Sequence, residues 1–199
     1  MSGTGAIRRP GRLIHLVYLD VDTGWYPGAH HGVAALCAAV ARAGHRFALT
    51  HLTDRPAPGA LAERLAASGA DAYGFSAMTN QFDGVRRYAP ALARRTGRPI
   101  VVGGVHATLA AADAAAVEGV TCACVGDGDA FVVRFLDALA AGDDPRTVPG
   151  AAWCDAGGFH PARPECVEDL DALPVADYSG FDMPRIVRDL GDRLSVIVS

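Results

Sequence analysis

Lysine is missing from this 199-residue chain. All 18 cationic side chains are arginine, scattered among 22 acidic residues for a formal net charge of −4. No basic stripe is present to follow a phosphate backbone, so a nucleic-acid role is excluded. Long apolar runs are missing as well: none approaches the roughly 20 residues that cross a bilayer. The first 12 residues have no hydrophobic core of a signal peptide. No membrane partner and a cytoplasmic location are expected. Cysteine is sparse, and Cys37, Cys122, Cys124, Cys154 and Cys166 make an odd set without a disulfide-framework spacing. Cys122 and Cys124 share a strand face, but no further ligands stand at a metal-binding spacing, so no metal site is expected.

What is present is apolar: 50% of the residues are hydrophobic, enough for a substantial core. The apolar blocks alternate with helical patterns. A strand is expected over Leu13–Leu19, then a polar and aromatic loop to Gly32, then a helix over Val33–Ala43 stopped by Gly44. A second strand, Arg46–Leu52, leads through Pro56 and Pro58 into a helix reaching Ala67. The third pair is Asp71–Met78 with Asp83–Arg95, and the fourth is Arg98–Val105 with Leu109–Val117. The fifth is Thr121–Val125 with Ala130–Ala141. Strict alternation implies parallel strands joined by helical crossovers. The expected fold class is therefore α/β, a doubly wound five-stranded parallel sheet of the flavodoxin-like (Rossmann-like) type.

Beyond Gly142 the pattern changes. A hairpin is expected over Gly150–Phe159, and Pro161–Pro184, rich in proline and acid, reads as a tethered linker. Leu194–Val198 reads as a new strand with nothing after it, so the chain is expected to be a fragment of a longer protein. The organisation is thus a flexible N-terminus (1–12), one domain (13–142), and a hairpin and linker (143–199).

On this architecture ligands sit at the carboxyl ends of the strands. The loop after strand one carries Trp25, Tyr26, Pro27, Gly28, His30, His31 and Gly32. Its rings suit a flat ligand and its imidazoles a metal or a hydrogen bond; equally, this is a solvated loop that starts a helix. After strand three come Ser76, Met78, Thr79 and Asn80, which can bind a ligand or cap the next helix. After strand four come Gly103, Gly104, Val105 and His106. Paired glycines there suit close approach of a bulky group or tight helix-on-strand packing. After strand five, Gly126, Asp127, Gly128 and Asp129 feed a helix N-terminus.

Together these loops resemble the cobalamin-binding domain of corrinoid proteins, and more closely the N-terminal domain of cobalamin-dependent radical SAM enzymes. The corrinoid pattern is Asp-x-His-x-x-Gly, Ser-x-Leu and Gly-Gly at the ends of strands one, three and four. Ser76-Ala77-Met78 and Gly103-Gly104 match the second and third elements; around His30 and His31 the first is not kept. The radical SAM branch adds Pro27-Gly28, Ala43-Gly44-His45, Val101 through Thr108, and the run Gly126 to Asp129 in place of Gly-Glu-Gly-Glu. Its acidic linker is matched by Asp169 through Pro174.

The resemblance implies a cobalamin-binding module of a radical SAM enzyme, a methyltransferase in which methylcobalamin carries the methyl group. The parent would also hold a four-iron four-sulfur cluster and S-adenosylmethionine, with the barrel of the same chain as partner; no catalysis is expected from this fragment alone. It further implies that the benzimidazole tail lies between the strand-three and strand-four loops, with Gly103 and Gly104 leaving room and Ser76 bonding its free nitrogen. Contacts to the cofactor are expected from Tyr26, Gly28, His30, His31, Ser76, Met78, Thr79, Asn80, Gly103, Gly104, Val105, His106, Gly126 and Gly128, with no firm cobalt ligand. A docking domain that has lost its ligand and a flavodoxin-like flavin binder are the alternatives. A response-regulator receiver is excluded, since strand three ends in Ser76 and no lysine follows strand five. A free-standing corrinoid carrier fits the acidic tail poorly.

Overall fold

The parallel part of the sheet follows from five stretches of alternating or continuous apolar residues. In the computed structural model, which describes residues 11–21 and 28–191, the strands are β1 (Leu13–Leu19), β2 (Arg46–Leu52), β3 (Ala72–Ser76), β4 (Ile100–Gly103), β5 (Cys122–Cys124), β6 (Ala151–Asp155) and β7 (Gly158–His160). They pair in the order β2-β1-β3-β4-β5-β6-β7. The first five are parallel, and β6 and β7 are antiparallel. The order 2-1-3-4-5 reverses direction between β1 and β3, which is where this fold leaves a crevice. The expected hairpin forms, but it extends the sheet from five strands to seven, because β6 pairs with the open edge of β5.

Helices cover both faces. On one lie α1 (His31–Arg42) and α6 (Gly128–Ala141), and on the other α2 (Pro58–Ala66) and α3 (Phe82–Thr96). The α3 face buries Val17, Tyr73, Phe75, Val102 and Phe82; the α1 face buries Ile14, Leu16, Val33, Phe131 and Phe135. The single helix expected over Leu109–Val117 is two short ones, α4 (Val105–Leu109) and α5 (Ala111–Ala115). Ala110, at φ −133° and ψ 51°, breaks the turn between them. Strand four also ends two residues early, because Gly104 adopts φ +99° and swings the chain into α4.

The Pro161–Pro184 stretch, read as a tether, lies back on the domain. Glu165 bridges Gly126 beside the end of β5. A short helix, α7 (Met183–Asp189), buries Ile186 in the α1-side core beside Phe181. The new strand expected at Leu194–Val198 lies outside the described residues. No described helix is long and apolar enough to cross a membrane.

Candidate functional site: a cleft at the carboxyl edge of the sheet

Strand register arranges the α1-facing side chains in rows. Ile14 stands opposite Ala72; Leu16, Gly74 and Val101 make the next row; Tyr18, Ser76 and Gly103 make the row at the carboxyl edge. Between these rows and α1 and α6 lies a cleft of about 530 Å³. It descends from Ser76 and Gly103 to Ile14. At ~3.3 Å per residue, that is about 13 Å along the strands.

Gly74 keeps the cleft open. A Cβ there would stand 2.9 Å from Leu16 Cδ2 and 3.4 Å from Ile14 Cδ1, so a side chain would fill the space above the sheet. Glycine inside a buried strand is the sequence signal for close approach, and Gly74 carries it. Gly103 and Gly104 divide the two roles left open for them. A Cβ on Gly104 would meet Ala77 O at 2.7 Å, so this glycine serves backbone packing. On Gly103 its nearest neighbour would be Cys124 Cβ at 3.9 Å, so the space beside Gly103 belongs to the cleft. Gly126 is required for a different reason. Its Cβ would strike Glu165 O at 2.1 Å, which lets the returning segment lie against β5.

Thr108 completes the mouth. Its hydroxyl accepts from Gly126 N at 3.1 Å and donates to Gly104 O at 3.3 Å, tying the β4 and β5 loops together. Cys124 lines the wall, and burial, helped by the negative charge of Asp127, pushes its thiol up to about 12. It is a neutral, apolar surface. Asp129 also lines the cleft; its Oδ1 is buried with no hydrogen-bond partner among the described residues. Burial raises its carboxyl above the usual range, with Asp127 adding to the shift.

Of the residues singled out from sequence, His30, Ser76, Gly103, Gly104, Val105, Gly126 and Gly128 come together around this cleft. Val105 does so from the first turn of α4 rather than from a strand end, with 55% of its surface exposed. His30 is the cap of α1: its Nδ1 accepts from Val33 N at 3.3 Å, and its ring tilts against Tyr18 at 5.0 Å. Burial lowers its pKa, with His31 adding to the effect and Asp20 opposing it. Gly28 does not line the cleft; its N–H donates to Asp20 Oδ2 at 2.9 Å, and the same oxygen pairs with His51 Nε2 at 2.8 Å. His31 turns to the Tyr178 hydroxyl of the returning segment. Met78 is partly exposed, and Asn80 lines a small hollow beside Gln81, Arg55 and Arg87. His106 is stacked on Phe82 at 3.8 Å, on the α3 side, with Nε2 on Asp113 at 3.0 Å and Nδ1 on Thr79 Oγ1 at 3.3 Å. Tyr26 lies outside the described residues. Ile14, Leu16, Leu36, Gly74, Val101, Phe131 and Val132 were missed because they read as ordinary core.

The space fits a large organic group: a glycine-floored apolar slot with polar groups at its mouth. Among the described residues no three His, Cys, Asp or Glu side chains gather around a metal position.

Residues 23–136 match the family model described as the B12 binding domain. No curated protein matches the chain. Among solved structures, the radical S-adenosylmethionine methyltransferase TsrM from Kitasatospora setae, with cobalamin and a 4Fe–4S cluster bound, is similar at 18% identity and a TM-score of 0.66. That likeness covers 85% of this chain and 32% of the other. The cobalamin-dependent S-adenosylmethionine radical enzyme OxsB, with aqua-cobalamin bound, is similar at 15% identity and a TM-score of 0.69, over 90% of this chain and 25% of the other. The chain therefore spans about a quarter to a third of the length of these structures.

Proposed function

Since the chain belongs to the B12-binding domain family, we propose that its cleft takes the nucleotide tail of cobalamin while the corrin ring lies over the carboxyl ends of β1, β3, β4 and β5. The observation that carries this reading is the slot itself, held open by Gly74 and Gly103 beneath a hydroxyl, Ser76. Ser76 donates to the bare nitrogen of the benzimidazole. Val105 and Leu109, 55% and 78% exposed at the mouth, offer the ring an apolar bed. Thr108 keeps the β4 and β5 loops at a fixed separation.

Cobalamin, when bound, supplies a cobalt centre able to carry a methyl group. In this reading that cobalt would have no firm side-chain ligand from His30. The Nδ1 lone pair of His30 is used at the α1 cap, so the neutral ring carries its proton on Nε2 and has no lone pair to give. His31 bonds through Nδ1 to the Tyr178 hydroxyl of the returning segment. The module serves a radical SAM barrel in the same parent chain, together with S-adenosylmethionine and a 4Fe–4S cluster, and methyl transfer is the reaction it supports. The fold likeness to TsrM and OxsB and the order of the sequence motifs support this wider reading.

The test is the ultraviolet–visible spectrum of the chain after incubation with hydroxocobalamin and desalting. Retained corrin bands that Gly103→Val removes are the expected outcome. A colourless but folded wild-type chain overturns the proposal.

A further inference from the structure

Below the Ser76–Gly103 row the cleft has almost nothing polar to offer. Its lining there is Ile14, Leu16 and Val101 from the sheet, Leu36 from α1 and Phe131 from α6. The strand amides and carbonyls behind them are paired in the parallel ladder. Cys124, with its thiol held neutral, adds sulfur and hydrocarbon. The remaining polar side chains, His30, Thr108, Asp127 and Asp129, come from the loop and helix starts around the mouth. His30, Thr108 and Asp127 are already engaged with backbone groups there, and of the four only Asp129, at Oδ1, is buried without a hydrogen-bond partner among the described residues.

From this division we infer that the slot selects the lower base of the corrinoid, accepting a dimethylbenzimidazole and discriminating against adenine. The inference rests on the cobalamin reading above. Off the cobalt, a dimethylbenzimidazole has one bare nitrogen, and every other edge is hydrocarbon. Ser76 meets that nitrogen, and the two methyl groups enter the apolar part of the slot. Adenine attached in the same way brings further ring nitrogens and an exocyclic amine. Ser76 satisfies one of them and Asp129 Oδ1 can accept from the exocyclic amine, but the remaining ring nitrogens, themselves acceptors, leave water for an apolar wall. Each unmet group weakens binding by about tenfold or more, and an apolar pocket rejects an added polar group by at most about 100-fold. The selectivity expected is therefore about 10- to 100-fold.

The experiment is equilibrium binding of the 199-residue chain to three corrinoids, followed by ultrafiltration and absorbance. They are cobalamin, its analogue with adenine as lower base, and cobinamide, which has no base. Cobalamin is expected to bind at least tenfold tighter than the adenine analogue. Gly74→Val, checked for folding by circular dichroism, is expected to bring cobalamin down to the level of cobinamide. Val101→Ser, which adds a hydroxyl within the slot, is expected to narrow the ratio. Equal binding of the two bases overturns the inference and leaves the cobalamin reading standing; a folded Gly74→Val that still binds cobalamin as tightly as wild type overturns the inference together with the placement of the nucleotide tail in this slot. Failure of the folded chain to bind any of the three overturns that reading, and the inference with it.

Discussion

A Cβ on Gly104 would stand 2.7 Å from the Ala77 carbonyl oxygen at a φ of +99°, whereas on Gly103 it would find its nearest atom at 3.9 Å. Two neighbouring glycines therefore make separable predictions. Gly104→Ala is expected to destabilise the fold by about 1–3 kcal/mol whether or not ligand is present, since a strained backbone position costs that much; denaturant midpoints measure it. Gly103→Val is expected to leave the midpoint within about 1 kcal/mol and to abolish corrin retention. His30 yields a third prediction. With its Nδ1 committed to the α1 cap, the cobalamin-loaded chain reduced to Co(II) is expected to show no nitrogen splitting from a protein ligand in its electron paramagnetic resonance spectrum. His30→Ala is expected to retain cobalamin. The paired glycines were legible in the sequence, but their separate duties were not. Those depend on Ala77 and Cys124, which lie 27 and 21 positions from the glycines they approach.

At the scale of elements, β1 carries a titrating group in its interior. His15 is buried, bonded through Nε2 to Thr50 Oγ1 at 2.9 Å, and desolvation, aided by Arg64, lowers its pKa to about 4. The unfolded chain binds this proton near pH 6.5, well before the folded one does, so stability falls as pH drops from about 6.5 toward 4. The loss from this one residue is roughly 3 kcal/mol, read as the difference between wild type and His15→Gln in denaturation at pH 7 and pH 4.5. The variant's pH dependence is expected to be flatter. The strands and the first three helices were legible because apolar periodicity is a local signal. The α4–α5 break was not, since alanine-rich sequence favours one continuous helix. The short β4 and the Thr108 tie between loops override that preference.

Across the whole molecule, the segment after the hairpin closes the structure it was expected to leave. Glu165 accepts from Asp127 N at 2.7 Å and donates to Val125 O at 3.1 Å, and Pro164 and Cys166 line the cleft. Asp177 N donates to Ala34 O at 2.9 Å, and α7 seats Ile186 in the core. Ile186→Ala is expected to cost about 2–5 kcal/mol, as truncation of a buried isoleucine does, with a matching fall in thermal midpoint. A free tether would show no such effect.

The sequence by itself determined the parallel α/β architecture, the strand order's switch point and the edge at which a ligand would sit, because periodicity, glycine stops and crossover handedness are properties of short segments. Only the tertiary structure decided which residues line the slot. Strand register puts Gly74 beside Leu16 and Val101, and the stacking of His106 on Phe82 removes that residue to the far face. A residue's face and neighbours are set by pairing and packing between distant segments, and one-dimensional spacing carries no record of them.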